Sequence, residues 1–267
     1  MATGPRIDGG PDFIGVGAQK CGTSWIGHVL RQHPGILFSR KEVNFFVRHF
    51  HRGYGWYHRW FADRGSRKAG EITPNYLYSP RPDRARLQFY PRWSPRDLLL
   101  FWRRHPSARD EIHDRYGPGV RVFAIFRNPV DRAWSHYWFW RNRKERIGKA
   151  SRVRPFRTMF EDDGRWIRTQ GFYGRLVAHW RERFPDMGLF LYDDLRSDPL
   201  GLARAIYRFV GVDDSFVPEF EKKVNKGEYP PMPSGEREYL ARVYREDILR
   251  FSALVGRDLS RWFGGER

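Results

Sequence analysis

Three times along this chain a short run of β-forming residues gives way, across a turn, to apolar residues at helical spacing, and that alternation constrains the fold more than any other feature. Phe13-Ile14-Gly15-Val16 is followed by Trp25, Val29 and Leu30 on one face of a helix over 24–31. Val120 to Phe126 is followed by Val130, Ala133, Trp134 and Tyr137, and Leu189 to Tyr192 by Leu202, Ala205, Ile206, Phe209 and Val210. Parallel strands need a crossover, usually helical, so strands alternating with helices predict an α/β fold with a central parallel sheet flanked by helices. A last helical register from Leu240 to Val255 stops at Gly256, a residue suited to end a helix, and is expected to pack on that sheet.

No self-similarity at a fixed period and no low-complexity block divides the 267 residues, which read as one domain over 1–267. Residues 79–96 and 141–165, rich in arginine with Pro or Gly, fall outside the alternation and are expected to be irregular insertions over the surface. Leu98 to Trp102 is apolar but bounded by Arg96, Arg103 and Arg104, so it reads as one helix face. No segment approaches the ~20 apolar residues of a membrane span, and Met1 to Asp12 lacks the apolar stretch of a signal peptide. The expectation is a soluble, cytoplasmic protein with no transmembrane segment. Cys21 is the single cysteine, which excludes an intrachain disulfide and a multi-cysteine zinc site. With 49 Lys+Arg against 31 Asp+Glu the net charge is +18, which favours anionic ligands.

The first strand-to-helix turn runs Gly15-Val16-Gly17-Ala18-Gln19-Lys20-Cys21-Gly22-Thr23-Ser24. Backbone N–H groups at a helix start, with a lysine and two hydroxyls, form a cradle for phosphate or sulfate. The nucleotide-triphosphatase loop places Gly-Lys-Ser/Thr in sequence, whereas here Lys20 precedes Gly22; the dinucleotide fingerprint needs glycine where Lys20 stands. Arg127 closes the second strand, and Ser135 lies eight residues on, two turns into the following helix. That is where ligands of open α/β sheets bind.

Together these segments resemble the sulfotransferases that use 3′-phosphoadenosine 5′-phosphosulfate (PAPS). Phe13 to Trp25 is similar to the family's 5′-phosphosulfate loop, and Ile125 to Tyr137, reading Ile-Phe-Arg-Asn-Pro-Val-Asp-Arg-Ala-Trp-Ser-His-Tyr, to its 3′-phosphate motif. Lys41-Glu42-Val43-Asn44-Phe45-Phe46 and Gly70-Glu71-Ile72-Thr73-Pro74-Asn75-Tyr76 are similar to two segments of the heparan-sulfate-type branch. The likeness continues through Tyr192 to Leu195, Lys226-Gly227 and the ending from Gly256 to Trp262. Asn44 stands where glycosaminoglycan-modifying relatives often have histidine.

The resemblance implies a P-loop-like domain and sulfuryl transfer from PAPS to a hydroxyl, with an amine as second choice, of a glycan or small-molecule natural product. It implies that Gln19, Lys20, Cys21, Gly22, Thr23, Ser24 and Trp25 hold the 5′ side of the donor, Lys20 neutralising the leaving phosphate. Arg127 and Ser135, with Lys226 and Gly227, hold the 3′-phosphate. Glu42 is the candidate base, supported by Lys41 and Glu71; His136 is the competing base. No metal is required, and His49 and His51 have no third ligand at a convincing spacing. The aromatic series Phe45, Phe46, Phe50, Tyr54, Trp56, Tyr57, Trp60 and Phe61 suits either core packing or an acceptor wall. Two other classes compete: a basic nucleic-acid-binding protein, for which no recognition motif is present, and a nucleotide kinase of related fold, disfavoured by the order of Lys20 and Gly22.

Overall fold

The computed structural model describes residues 9–39, 42–79, 107–148, 153–163, 166–220 and 229–264. Five strands form one sheet: β1 Phe13–Gly17, β2 Ile36–Phe38, β3 Lys68–Ile72, β4 Arg121–Phe126 and β5 Gly188–Leu191, in the order β2-β3-β1-β4-β5. All four pairings are parallel, with Ile14 of β1 opposite Glu71 on one side and Val122 on the other. The chain leaves β1 for the edge, returns through β3, and only then crosses to β4. That reversal makes the carboxyl ends of β1 and β4 the topological switch point, the place where open α/β sheets bind ligands in a crevice.

Helices α1 Thr23–Gln32, α2 Gly53–His58, α3 Ala108–Tyr116, α4 Pro129–Glu145 and α5 Phe156–Glu161 precede β5; α6 Tyr173–Arg181 leads into it. After β5 come α7 Tyr192–Ser197, α8 Pro199–Val210, α9 Ser234–Val255 and α10 Arg261–Gly264. Local chemistry sets their starts. Asn128 caps α4, its Oδ1 accepting from Val130 N–H at 3.0 Å ahead of Pro129, while its amide donates to the Trp262 carbonyl at 3.2 Å and ties α4 to α10. The Asp247 carboxylate on α9 accepts from the N–H groups of Gly174 and Arg175 at 2.7 and 3.1 Å, so one long helix caps another. As expected, α9 ends at Gly256, with φ +69°.

The three expected strand–helix units are present. The sequence reading lacked β2 and β3. The first has three residues and no usable period, and the second carries Gly70 and Glu71 mid-strand, which reads as polar although both are buried. In the stretch 141–165, residues 141–145 continue α4, and α5 places Phe156 and Phe160 in the core, so part of this expected insertion is regular and packed. Residues 80–96 and the apolar run 98–102 lie outside the described residues. Phe45, Phe46, Tyr57 and Phe61 are buried, Phe45 stacked on Tyr57 with centroids 4.5 Å apart, and they belong to the core. Phe50, Tyr54, Trp56 and Trp60 pack against them while remaining partly exposed.

Candidate active site

The loop between β1 and α1 is held from both sides. Ala18 N–H donates to the Ile125 carbonyl of β4 at 2.9 Å, and Gln19 N–H to the Tyr78 hydroxyl at 3.2 Å. Cys21 is buried beneath the loop, its Sγ 3.4 Å from the Gln19 carbonyl and 3.6 Å from the Tyr173 hydroxyl. Burial raises its thiol pKa, which suits a packed thiol. Lys20 and Gly22 both adopt left-handed backbone, φ +64° and +95°. A Cβ on Gly22 would lie 3.0 Å from the Tyr192 ring and 3.2 Å from Leu195, so glycine is demanded twice over. This turn delivers the chain into α1 with the helix's positive end at the loop. Trp25 N–H donates to the Gly22 carbonyl at 2.9 Å and its ring stacks on Phe220, so it packs the start of α1 against the loop.

Two cations meet here without an ion pair between either and the nearby Asp131, which pairs with Arg237. Lys20 Nζ lies 4.4 Å from the Phe139 ring centroid, and Arg127 Cζ lies 5.0 Å from that of Tyr192. Among the described residues neither side chain makes an ion pair, and Arg127 Nε is buried with no hydrogen-bond partner. Burial first, and the charge of Arg127 second, lower the Lys20 pKa. Partly desolvated neighbouring cations are relieved by a bound anion, and a helix N-terminus beside them supplies further donors. Ser135 is buried on α4, two turns beyond Arg127. Lys41, Lys226 and Gly227 lie outside the described residues.

On the opposite side of β1, Glu71 is fully buried and saturated with donors. Its Oε1 accepts from the hydroxyls of Tyr57 and Tyr76, each at 2.8 Å, and its Oε2 from Thr73 at 2.6 Å. Burial pushes its pKa up to about 7 against the pull of those hydrogen bonds. The same hydroxyls hold the next segment: Thr73 Oγ1 accepts from Asn44 N–H at 3.1 Å and the Tyr76 hydroxyl from Phe45 N–H at 2.7 Å. Glu71 therefore braces the turn that carries Glu42, a supporting place rather than an exposed one. Asn44, left-handed at φ +55°, donates through Nδ2 to the Glu42 carbonyl at 3.3 Å and to Glu42 Oε2 at 3.5 Å. The Glu42 side chain is itself only partly buried.

His136 faces the interior. Trp140 Nε1 donates to its Nε2 at 2.9 Å, Arg132 Nη1 lies 3.1 Å from its Nδ1, and the residue is 2% exposed. Buried between Arg132 and Trp140, it is placed to pack rather than to meet an acceptor. Arg132 is fully buried and also bonds to Gln170 and the Ile167 carbonyl. His49 packs on Trp56, and among the described residues no group of three or more His, Cys, Asp or Glu could hold a metal. Of the bracing set, Tyr57 is in the aromatic series read as core or acceptor wall, while Thr73, Asn75 and Tyr76 are not among the candidate site residues of the sequence. The signal for these three lies inside Gly70 to Tyr76, where Glu71 is the candidate residue.

A strand–loop–helix turn on a parallel sheet of order 2-3-1-4-5 gives the chain a P-loop-like α/β fold. The sulfotransferase-domain model matches residues 10–230, and the chain belongs to that family. It is 25% identical over 299 residues to the bifunctional heparan sulfate N-deacetylase/N-sulfotransferase 3 of Mus musculus, with 96% of this chain and 31% of that protein covered. To heparan sulfate glucosamine 3-O-sulfotransferase 6 of Homo sapiens it is 27% identical over 223 residues, covering 79% and 55%. The chain thus spans well under two thirds of either relative. A sulfotransferase crystal structure from Alicyclobacillus acidocaldarius matches with a TM-score of 0.71 at 26% identity, covering 94% of this chain and 98% of that one. No helix among the described residues is long and apolar enough to cross a membrane.

Proposed function

We propose that this chain transfers a sulfuryl group from PAPS to a hydroxyl, with an amine as second choice, of a glycan or small-molecule natural product. The observation that carries the reading is the pair of neighbouring cations that make no ion pair among the described residues, Lys20 in the β1–α1 loop and Arg127 at the end of β4. Two cradles across one crevice suit a donor with two separate phosphates. Lys20 and the first turn of α1, from Gly22 through Ser24, hold the 5′-phosphate; Arg127 and Ser135 hold the 3′-phosphate. Gln19 and Cys21 set the shape of the loop, and Lys226 and Gly227 complete the 3′ side.

In the transfer, the acceptor oxygen forms a bond to sulfur while the bond from sulfur to the bridging oxygen breaks, its electron pair leaving on the 5′-phosphate. Lys20 neutralises that charge as it develops. The acceptor proton passes to Glu42, with Lys41 and Glu71 supporting it. Positioning and electrostatics carry the rate, as in phosphoryl transfer, and no step is routed through a metal. The relatives' heparan substrates suggest a glycan as the first acceptor to try.

Melting curves with 3′-phosphoadenosine 5′-phosphate (PAP), ATP and duplex DNA test the donor, since a ligand of the native state raises its apparent stability. PAP alone should raise the transition. A shift with ATP or DNA but not PAP would favour a kinase or a nucleic-acid-binding protein. Mass spectrometry of a desulfated heparan oligosaccharide incubated with PAPS and enzyme should show a gain of one SO₃.

A further inference from the structure

The side-chain amides between the phosphate loop and Glu42 form an unbroken series with one direction. Gln19 Nε2 donates to Asn75 Oδ1, Asn75 Nδ2 donates to Asn44 Oδ1 at 3.1 Å, and Asn44 Nδ2 donates to Glu42 Oε2 at 3.5 Å. Each of the two asparagines accepts through its oxygen and donates through its nitrogen, so the hydrogen-bond dipoles align and reinforce one another toward the carboxylate. The members come from three stretches of chain, and the segment 73–78 that carries Asn75 also holds the other two. Gln19 N–H is held by Tyr78, Asn44 N–H by Thr73, and the adjoining Phe45 N–H by Tyr76. Amides keep their charge state at any ordinary pH, so such a series transmits orientation and not protons. Its last bond engages Glu42 Oε2, the oxygen through which the series holds the carboxylate.

We propose that Gln19, Asn75 and Asn44 are positioning residues that tie Glu42 to the donor loop, so that a phosphate seated beside Lys20 also fixes the base. The proposal rests on reading the loop as the donor site and Glu42 as the base. Gln19 precedes Lys20 directly, and a phosphate gripping the loop's backbone sets the plane of the Gln19 amide and, through it, those of Asn75 and Asn44.

The test follows the side-chain amide resonances of ¹⁵N-labelled full-length protein as PAP is added. In the unaltered protein, saturating PAP should shift Gln19, Asn75 and Asn44 together. In Asn75→Ala, or in Asn75→Asp should alanine impair folding, PAP should still bind within about threefold and still shift Gln19, while Asn44 falls silent. An Asn44 response of full size in a variant lacking the Asn75 amide overturns the relay. Failure of the donor reading looks different, because PAP would then shift no loop residue, and the relay would fall with it. A rate cycle gives the second readout, on single-turnover transfer to the desulfated heparan oligosaccharide. Asn75→Ala should cost about tenfold when Glu42 is present and less than about twofold in a Glu42→Gln background. Equal losses in both backgrounds mark a merely structural residue and contradict the proposal; a full rate for Glu42→Gln alone contradicts the base assignment instead.

Discussion

The two halves of the site are held by different kinds of interaction. The donor half sits on two strand-to-helix turns, 17–25 and 126–135, and its tools are helix ends, left-handed backbone and two cations. The base half is cross-braced by side chains that are distant in sequence: Tyr57 to Glu71, Asn44 to Asn75, Gln19 to Asn75. An anion can be gripped by backbone geometry that a short motif specifies. Aiming one carboxylate requires a scaffold assembled from several segments. The donor half should therefore tolerate changes elsewhere in the fold, and the base half should not.

The largest effect separating the halves is expected at Glu42. Glu42→Gln should leave PAP affinity intact and lower single-turnover transfer by about 10²–10⁴, the range for general base catalysis. His136→Gln is the control. Enclosed by Arg132 and Trp140, it should alter stability while transfer per folded molecule stays within about twofold. A normal Glu42→Gln beside an inactive His136→Gln would move the base across the crevice.

Next comes the lysine of the donor half. Lys20→Ala should reduce turnover at saturating donor by about 10²–10³, the cost of losing one donor aimed at developing charge. A change confined to the donor KM would show that its role is uniform binding rather than stabilisation of the leaving group.

A third expectation concerns pH and the brace. Glu71 titrates near 7 when folded against an ordinary 4.5, so the folded state binds its proton more tightly than the unfolded chain does. Its contribution is fully present below about 4.5 and is lost as pH rises through about 7, a change on the order of 3 kcal/mol. Denaturant unfolding of the native protein and of Glu71→Gln across pH 4–8 isolates it. The stability difference between the two should drift against the native protein as pH rises and level off above 7; a constant difference would refute the linkage.

The smallest effect is at the loop glycine. Gly22→Ala places a Cβ at φ +95° against Tyr192, and the left-handed conformation alone costs roughly 1–2 kcal/mol. Thermal unfolding should drop by a few degrees and PAP affinity should fall with it. Unchanged affinity would detach the turn from the cradle.

The same contrast explains what the sequence disclosed. The strands Phe13–Gly17, Arg121–Phe126 and Gly188–Leu191 were legible because each pairs an apolar run with a periodic helix, and Lys20, Gly22 and Arg127 fall at the junctions. Glu42 and Glu71 were reachable only through likeness to a family. Lys68–Ile72 was hidden because a fully buried carboxylate at Glu71 breaks the apolar signal, and nothing local announces that three hydroxyls will satisfy it. The partnership of Asn75 with Asn44 depends on the loops that follow β3 and β2 meeting, a tertiary fact with no periodicity. Arg132 misleads in the other direction: an arginine in a helix reads as surface, yet it is fully buried beside His136 and Gln170.

The central claim is that two phosphates of one ligand span the crevice, Lys20 serving one and Arg127 the other. Calorimetric titration of PAP and of adenosine 5′-phosphate, into the native protein and into Arg127→Ala, tests it most directly. PAP should bind the native protein at least about tenfold more tightly than adenosine 5′-phosphate, the scale of one charge-assisted pair. Arg127→Ala should erase that advantage while leaving adenosine 5′-phosphate affinity where it was. If Arg127→Ala weakens both ligands equally, or if the two bind the native protein alike, the two-phosphate account is contradicted.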